Sequence, residues 1–136
     1  MLPSLVFLHV AANLVWIGSV VATGWVLAGP EGGQRERGLI ALKLYRQLAT
    51  PAFGVSFVAG LVVLAHNYEF YLVQTHFMHA KLTVALAVIG LHHVIGAWAK
   101  RAARDESRSY GAARPLAMAV VAGAAIATWL VVTKPF

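Results

Sequence analysis

Residues 75–101, THFMHAKLTVALAVIGLHHVIGAWAKR, set four histidines (His76, His79, His92, His93) and Lys81 in an otherwise apolar stretch. A bilayer-crossing helix needs roughly 20 mainly apolar residues at about 1.5 Å of rise each, so this stretch is long enough to span. Ionisable groups are expensive in a hydrophobic span, and those found there point to function by default.

The rest of the chain has the same character. Of 136 residues, 60% are hydrophobic and 12% charged, too few polar groups to cover a soluble domain. Four segments nearly free of Asp, Glu, Lys and Arg predict spans over residues 2–28, 48–66, 75–99 and 115–133. The expected architecture is one all-α integral membrane domain, a four-transmembrane-helix bundle.

Basic residues are distributed unevenly. Arg35, Arg37, Lys43 and Arg46 fall between spans one and two, and Lys100, Arg101, Arg104, Arg108 and Arg114 between spans three and four. That is nine of eleven on one side, which the positive-inside rule makes cytoplasmic. The net charge of +6 thus reads as orientation in a bacterial inner membrane, not as a nucleic-acid footprint. Both termini and the 67–74 loop, with Glu69, are expected outside. The chain lacks cysteine, which excludes disulfides, Fe–S clusters and thiolate metal sites. The N-terminal apolar run has no basic n-region and is too long for a signal peptide's core, so it reads as span one.

In span one, His9 and Asn13 lie one helical turn apart, and Trp16 continues their stripe. Asn13 reads as a helix–helix hydrogen bond and Trp16 as packing. His9, about 9–10 Å below the start of the span, has little water to satisfy it and reads as a ligand. Gly29-Pro30-Glu31-Gly32-Gly33 ends the span. Residues 34–47 place Leu39, Leu42 and Arg46 at helical spacing, an interfacial extension of span two that meets lipid headgroups. Thr50-Pro51 fits a cap with proline in the first turn, or a kink. His66 reads as interfacial, as does His76.

In span three, His79 and His93 are near four turns apart and Lys81 and His92 near three, giving two polar stripes. His79 belongs with His9 in the outer half; His92 and His93 form an inner pair. In span four, Ala119, Gly123 and Ala127 make a small-residue stripe suited to close helix contact or an oligomer seam.

Histidines on two helices at similar depth fit axial ligation of a haem, with His9 and His79 as the pair. Proton relay and metal binding are the alternatives. Copper is poorly served by Met1, Met78 and Met118 without cysteine. Zinc held by His9, His66 and His79 would lack a buried carboxylate, Glu69 being in a loop. Lys81 reads either as a snorkelling lysine or as the cation for porphyrin propionates. His92 and His93 could carry a proton or hydrogen-bond to neighbouring helices.

Met78-His79-Ala80-Lys81-Leu82 with Gly90-Leu91-His92, Leu44-Tyr45-Arg46 with Thr50-Pro51-Ala52, and the closing Val131-Val132-Thr133-Lys134-Pro135-Phe136 together resemble the HemJ family. This family comprises membrane-bound, oxygen-independent protoporphyrinogen oxidases. The resemblance covers residues 44–136, and HVAANLVWIG at 9–18 resembles the first helix of the broader CopD-like membrane superfamily. It implies a four-helix protein that binds haem b and oxidises protoporphyrinogen IX to protoporphyrin IX, passing electrons to quinone. By position, His9 matches the family's first-helix histidine, His79 and Lys81 its His-x-Lys pair, and His92 the later histidine of that helix. His66 and His93 have no firm counterpart. After Trp16 the family carries Leu-Pro-Arg, where this chain reads SVVATGWVLAGPEGG.

The implied site is therefore His9 and His79 on haem iron, Lys81 on porphyrin carboxylates, and Lys81 and His92 in the reaction. The competing expectations are a non-enzymatic CopD-like protein carrying haem or copper, and a small subunit of a larger membrane complex; a homo-oligomer is a further expectation.

Overall fold

The computed structural model describes residues 1–106 and 108–135; Phe136, the last residue of the closing motif, lies outside them. Helix α1 spans Leu2–Leu27, α2 Gln34–Leu44, α3 Thr50–His66, α4 Phe77–Ala103 and α5 Ala113–Thr133. Single π-helical turns occupy Tyr45–Ala49 and Glu69–Gln74. The first joins α2 to α3 in one helical rod, Gln34–His66, so the basic stretch at 34–47 is a helical extension of the second span. That rod, α1, α4 and α5 are each long and apolar enough to cross a membrane. The chain is an all-α, four-helix integral membrane protein. The nine basic residues between spans one and two and between spans three and four lie at one end of the bundle, here the basic end, and both termini lie at the other.

The chemistry of the backbone sets the helix limits. Gly32, at φ +71°, takes the left-handed conformation that glycine adopts without a Cβ penalty. Its carbonyl accepts a 2.5 Å hydrogen bond from the Arg37 guanidinium, which ties the loop after α1 to the start of α2. Helix α4 starts from His76 and runs to Ala103, about one turn past the expected end of its span.

The π turn at Tyr45–Ala49 has a cause two residues on. Pro51 has no N–H to give the carbonyl one turn back, and its ring crowds that turn; a widened turn relieves both. Thr50 makes no capping hydrogen bond, so the Thr-Pro pair modifies a continuing helix and does not start one. The wide turn also keeps Ala41, Tyr45, Ala49 and Phe53 on one face despite their repeated four-residue spacing. Gly96 on α4 leaves room for the Tyr45 ring, which would collide with any Cβ there.

α1 packs antiparallel to α3 and α5, α4 packs on α5, and α2 lies across α4 and α1 near the basic end. α3 and α4 scarcely meet along their lengths. In the α1–α3 seam the partners are His9 with Gly60, Asn13 with Ser56 and Trp16 with Phe53, followed by the fully buried Val20 and Ala49. Elsewhere small residues set the spacing between helices. Gly24 faces Ala113 and Ala117, and Gly123 faces Val88. The buried face of α5 is Ala113, Ala117, Val120 and Leu130. Of the predicted stripe Ala119-Gly123-Ala127, Ala119 is exposed, because the contact face is turned away from it.

Buried hydroxyls in α1 are satisfied within the helix: Ser19 donates to the Val15 carbonyl at 2.7 Å and Thr23 to the Ser19 carbonyl at 2.8 Å. Aromatic groups mark both ends of the bundle, as expected at membrane interfaces. Arg108 sits over the Trp98 ring and Arg114 over Trp25 at the basic end, while Lys134 sits over Phe70 at the other. In the α4–α5 loop Tyr110 is buried beside Trp98. Burial, reinforced by Glu106, raises its hydroxyl pKa above the usual tyrosine value.

A Cβ at Gly24 would lie 2.7 Å from the Ala117 Cβ and 2.8 Å from the Ala113 carbonyl oxygen. Gly24→Val should therefore lower stability by about 1–3 kcal/mol, measured by thermal unfolding in detergent. Unchanged stability would show that α1 and α5 do not depend on this close approach.

Candidate functional site

Three- and four-residue steps return to one side of a helix, so α1 presents His9, Asn13 and Trp16 along a single face. The His9 Nδ1 lies 2.7 Å from the Ser56 carbonyl oxygen and 3.2 Å from the Ser56 Oγ. A carbonyl oxygen only accepts, so Nδ1 carries the ring proton and Nε2 the lone pair. The Asn13 Nδ2 donates to Nε2 at 3.1 Å, and the Asn13 Oδ1 accepts from the Ser56 Oγ at 2.8 Å. His9, Asn13 and Ser56 thus form a closed network, and the Asn13 bond across helices matches its sequence reading.

Gly60 lets the imidazole lie against α3. A Cβ there would be 2.8 Å from the His9 Cε1 and 2.9 Å from Nδ1. Lys81 is half-buried on α4.

His92 lies deeper in the bundle and is fully buried. The Trp16 Nε1–H donates to its Nδ1 at 3.1 Å. Because an indole only donates, Nδ1 holds a lone pair; Nε2 carries the proton and donates it to the Tyr45 Oη, also at 3.1 Å. The Tyr45 ring stacks on His92 at a centroid distance of 4.7 Å, and Phe53 and Trp16 approach at 5.1 and 5.7 Å. Of the two roles open to His92, hydrogen bonding between helices is the one observed. Trp16 does more than pack: it fixes the tautomer of His92.

The two stripes of α4 separate physically. Lys81 and His92 share the side turned toward α1, whereas His79 and His93 are both exposed. His93 rests edge-on against Phe53 at 6.0 Å, and His79 pairs with His76 at 6.3 Å. The Trp16–His92 bond fixes the register of α1 against the parallel α4. Counting from it, His9 stands about 10 Å toward the terminal end and His79 about 20 Å. His79 is therefore about six residues farther out than His9, and the equal depth expected of them is not seen. The two expectations differ because the sequence gives distances along each helix but not the offset between helices.

His66, at the end of α3, and His76 are exposed. Among the described residues no three His, Cys, Asp or Glu side chains converge on a metal position, so His9, His66 and His79 do not assemble one. Sequence reasoning missed Ser56, Gly60 and Tyr45. The signal for the first two is complementarity, small residues on α3 spaced like His9, Asn13 and Trp16 on α1.

Comparison with protein-family models, curated proteins and solved structures finds no match, so the site is read from its own chemistry.

Trp16→Phe keeps an aromatic ring but leaves the His92 Nδ1 without a donor in a buried site. A stability loss of about 1–3 kcal/mol is expected. Combined with Tyr45→Phe, the effects should be non-additive, since both act on one imidazole. Additive, near-zero losses would show that the clasp contributes nothing.

Proposed function

We propose that this is a haem b-binding membrane redox protein of the protoporphyrinogen-oxidase type, in which His9 would hold the iron. The observation that carries the reading is the bond from the His9 Nδ1 to the Ser56 carbonyl. Metal-ligating histidines characteristically donate their second ring nitrogen to a carbonyl, which fixes the tautomer and raises the basicity of the ligating nitrogen. His9 has that arrangement, in a bilayer-length helix, with Nε2 as the ligand atom. The donor set suits haem iron better than copper, since a neutral imidazole is available and no thiolate is.

The resemblance of Met78-His79-Ala80-Lys81-Leu82 to the family motif implies His79 as second ligand, but His79 is exposed and stands about six residues farther out than His9, so the proposal rests on His9 alone. Lys81, half-buried on α4, supplies the cation for porphyrin carboxylates. When bound, haem supplies an iron that accepts electrons one at a time. The surrounding residues hold and orient: His9 through Nε2, Lys81 through its charge, and His92 by locking α4 to α1. A proton relay through His92 would first require Trp16 to leave Nδ1. The proposal has protoporphyrinogen IX as substrate and membrane quinone as electron acceptor, in a bacterial inner membrane with the basic end in the cytoplasm and both termini outside.

A second reading, a CopD-like protein that carries haem or copper without catalysis, is favoured by one feature. Residues 17–33 contain no basic side chain, and α1 continues as a helix to Leu27 where the family carries Leu-Pro-Arg. Rescue of a bacterium lacking protoporphyrinogen oxidase separates the two; membrane expression without rescue counts for the carrier.

Purified protein should show a Soret band and a pyridine haemochrome spectrum of haem b. His9→Ala should remove most of the bound haem, and His79→Ala should leave it in place. Protein free of haem after expression with ample haem supply, or His9→Ala without effect, would sink the reading.

A further inference from the structure

The two imidazoles facing the α1 seam differ in what covers their unprotonated nitrogen. On His92 it is Trp16, an indole packed 5.0 Å from the Phe53 ring and 7% exposed. On His9 it is the terminal amide of Asn13, a small group one turn along the same helix. The same His9 Nε2 is the atom that would bind iron.

The ring itself has little freedom to turn away. Gly60 lies flat against it on the α3 side, with space for no Cβ, and the Ser56 carbonyl grips Nδ1 at 2.7 Å. Anything that binds Nε2 must therefore move Asn13, not His9. Asn13 can move without the backbone, because its amide turns about side-chain bonds alone. What opposes the movement is the 2.8 Å bond from the Ser56 Oγ to the Asn13 Oδ1. That bond presents the NH2 to Nε2: the Ser56 hydroxyl donates to the amide oxygen, leaving the nitrogen for the imidazole.

We propose that Asn13, held by Ser56, is a displaceable latch on the ligand nitrogen of His9. It satisfies the lone pair of Nε2 within the bilayer and would swing aside for haem. The inference rests on the haem reading above. Asn13 is a positioning residue that acts through His9. An unpaired imidazole nitrogen in a membrane helix is costly, so the latch sets haem uptake against a bond that must break.

The direction of the effect distinguishes a latch from a structural contact. If Asn13 only tied α1 to α3, Asn13→Leu would loosen the seam and weaken haem binding. If it is a latch, the same change frees Nε2 and binding tightens. Net hydrogen bonds of this kind correspond to about threefold to tenfold in an equilibrium constant.

Haemin is titrated into haem-depleted full-length protein in lipid nanodiscs, following the Soret band and the association rate. Asn13→Leu is expected to bind about threefold to tenfold tighter and to associate faster, with the Soret maximum unmoved because the iron ligand is unchanged. Ser56→Ala keeps the backbone carbonyl that orients His9 but releases the amide oxygen of Asn13. It should shift binding in the same direction by less, and it carries the test if Asn13→Leu does not fold. Adding His9→Ala to either variant should abolish the gain.

Equal or weaker binding in both variants, with the His9-dependent Soret band retained, overturns the latch and leaves the haem reading standing. Absence of any His9-dependent Soret band in the wild-type protein overturns the haem reading and the latch with it.

Discussion

The hydrogen bond from the Trp16 indole to the buried Nδ1 of His92 is the constraint on which the bundle depends. Indole can only donate, so this bond assigns the proton on His92 to Nε2 and directs it at the Tyr45 hydroxyl. One imidazole thus joins three segments: α1 through Trp16, the π turn through Tyr45, and α4 through itself. In a bilayer this is not one interaction among many. Helices gain little from apolar contact when lipid is equally apolar, so paired polar groups and close packing decide which helices meet.

The register of α1 against α4 follows from that bond, and the register of α1 against α3 follows from matched sizes. Where α1 carries a large or polar group, α3 offers something small or flat: Gly60 to His9, Ser56 to Asn13, the Phe53 ring to Trp16. Phe53 also touches His92, so the two registers are locked together at one level. Outward from that level α3 leans on α1 and leaves α4. There His9 and Lys81 are half-buried, not packed away like His92.

Much of this could be read from the chain because the bilayer imposes it. Span length and the absence of charge follow from hydrocarbon thickness, and the His9-Asn13-Trp16 face follows from helical periodicity, as do the two stripes of α4. What could not be read concerns relations between helices. Ser56 acts on His9 through its backbone carbonyl, which every residue has, and Gly60 acts by lacking a side chain. Tyr45 is hidden by the π turn, which shifts the phase of α2 against α3 and breaks the periodicity that would show both facing inward. The depth of His79 relative to His9 depended on an offset that neither helix encodes alone.

The contrast between the two histidines is what the proposed roles rest on. His92 spends both nitrogens on partners that are themselves fixed, an indole wedged against Phe53 and a phenol fitted over Gly96; freeing either nitrogen would open the seam between helices. His9 spends its protonated nitrogen on a carbonyl that cannot move without α3, and its lone pair on an amide that can. Fixing Nδ1 while leaving Nε2 under a movable group is the arrangement expected of a ligand, and fixing both is that of a strut. A buried ionisable residue in a membrane helix therefore does not by itself identify the reactive site. What separates the two is whether the group facing its lone pair can leave without taking a helix with it, and of these two only His9 meets that condition.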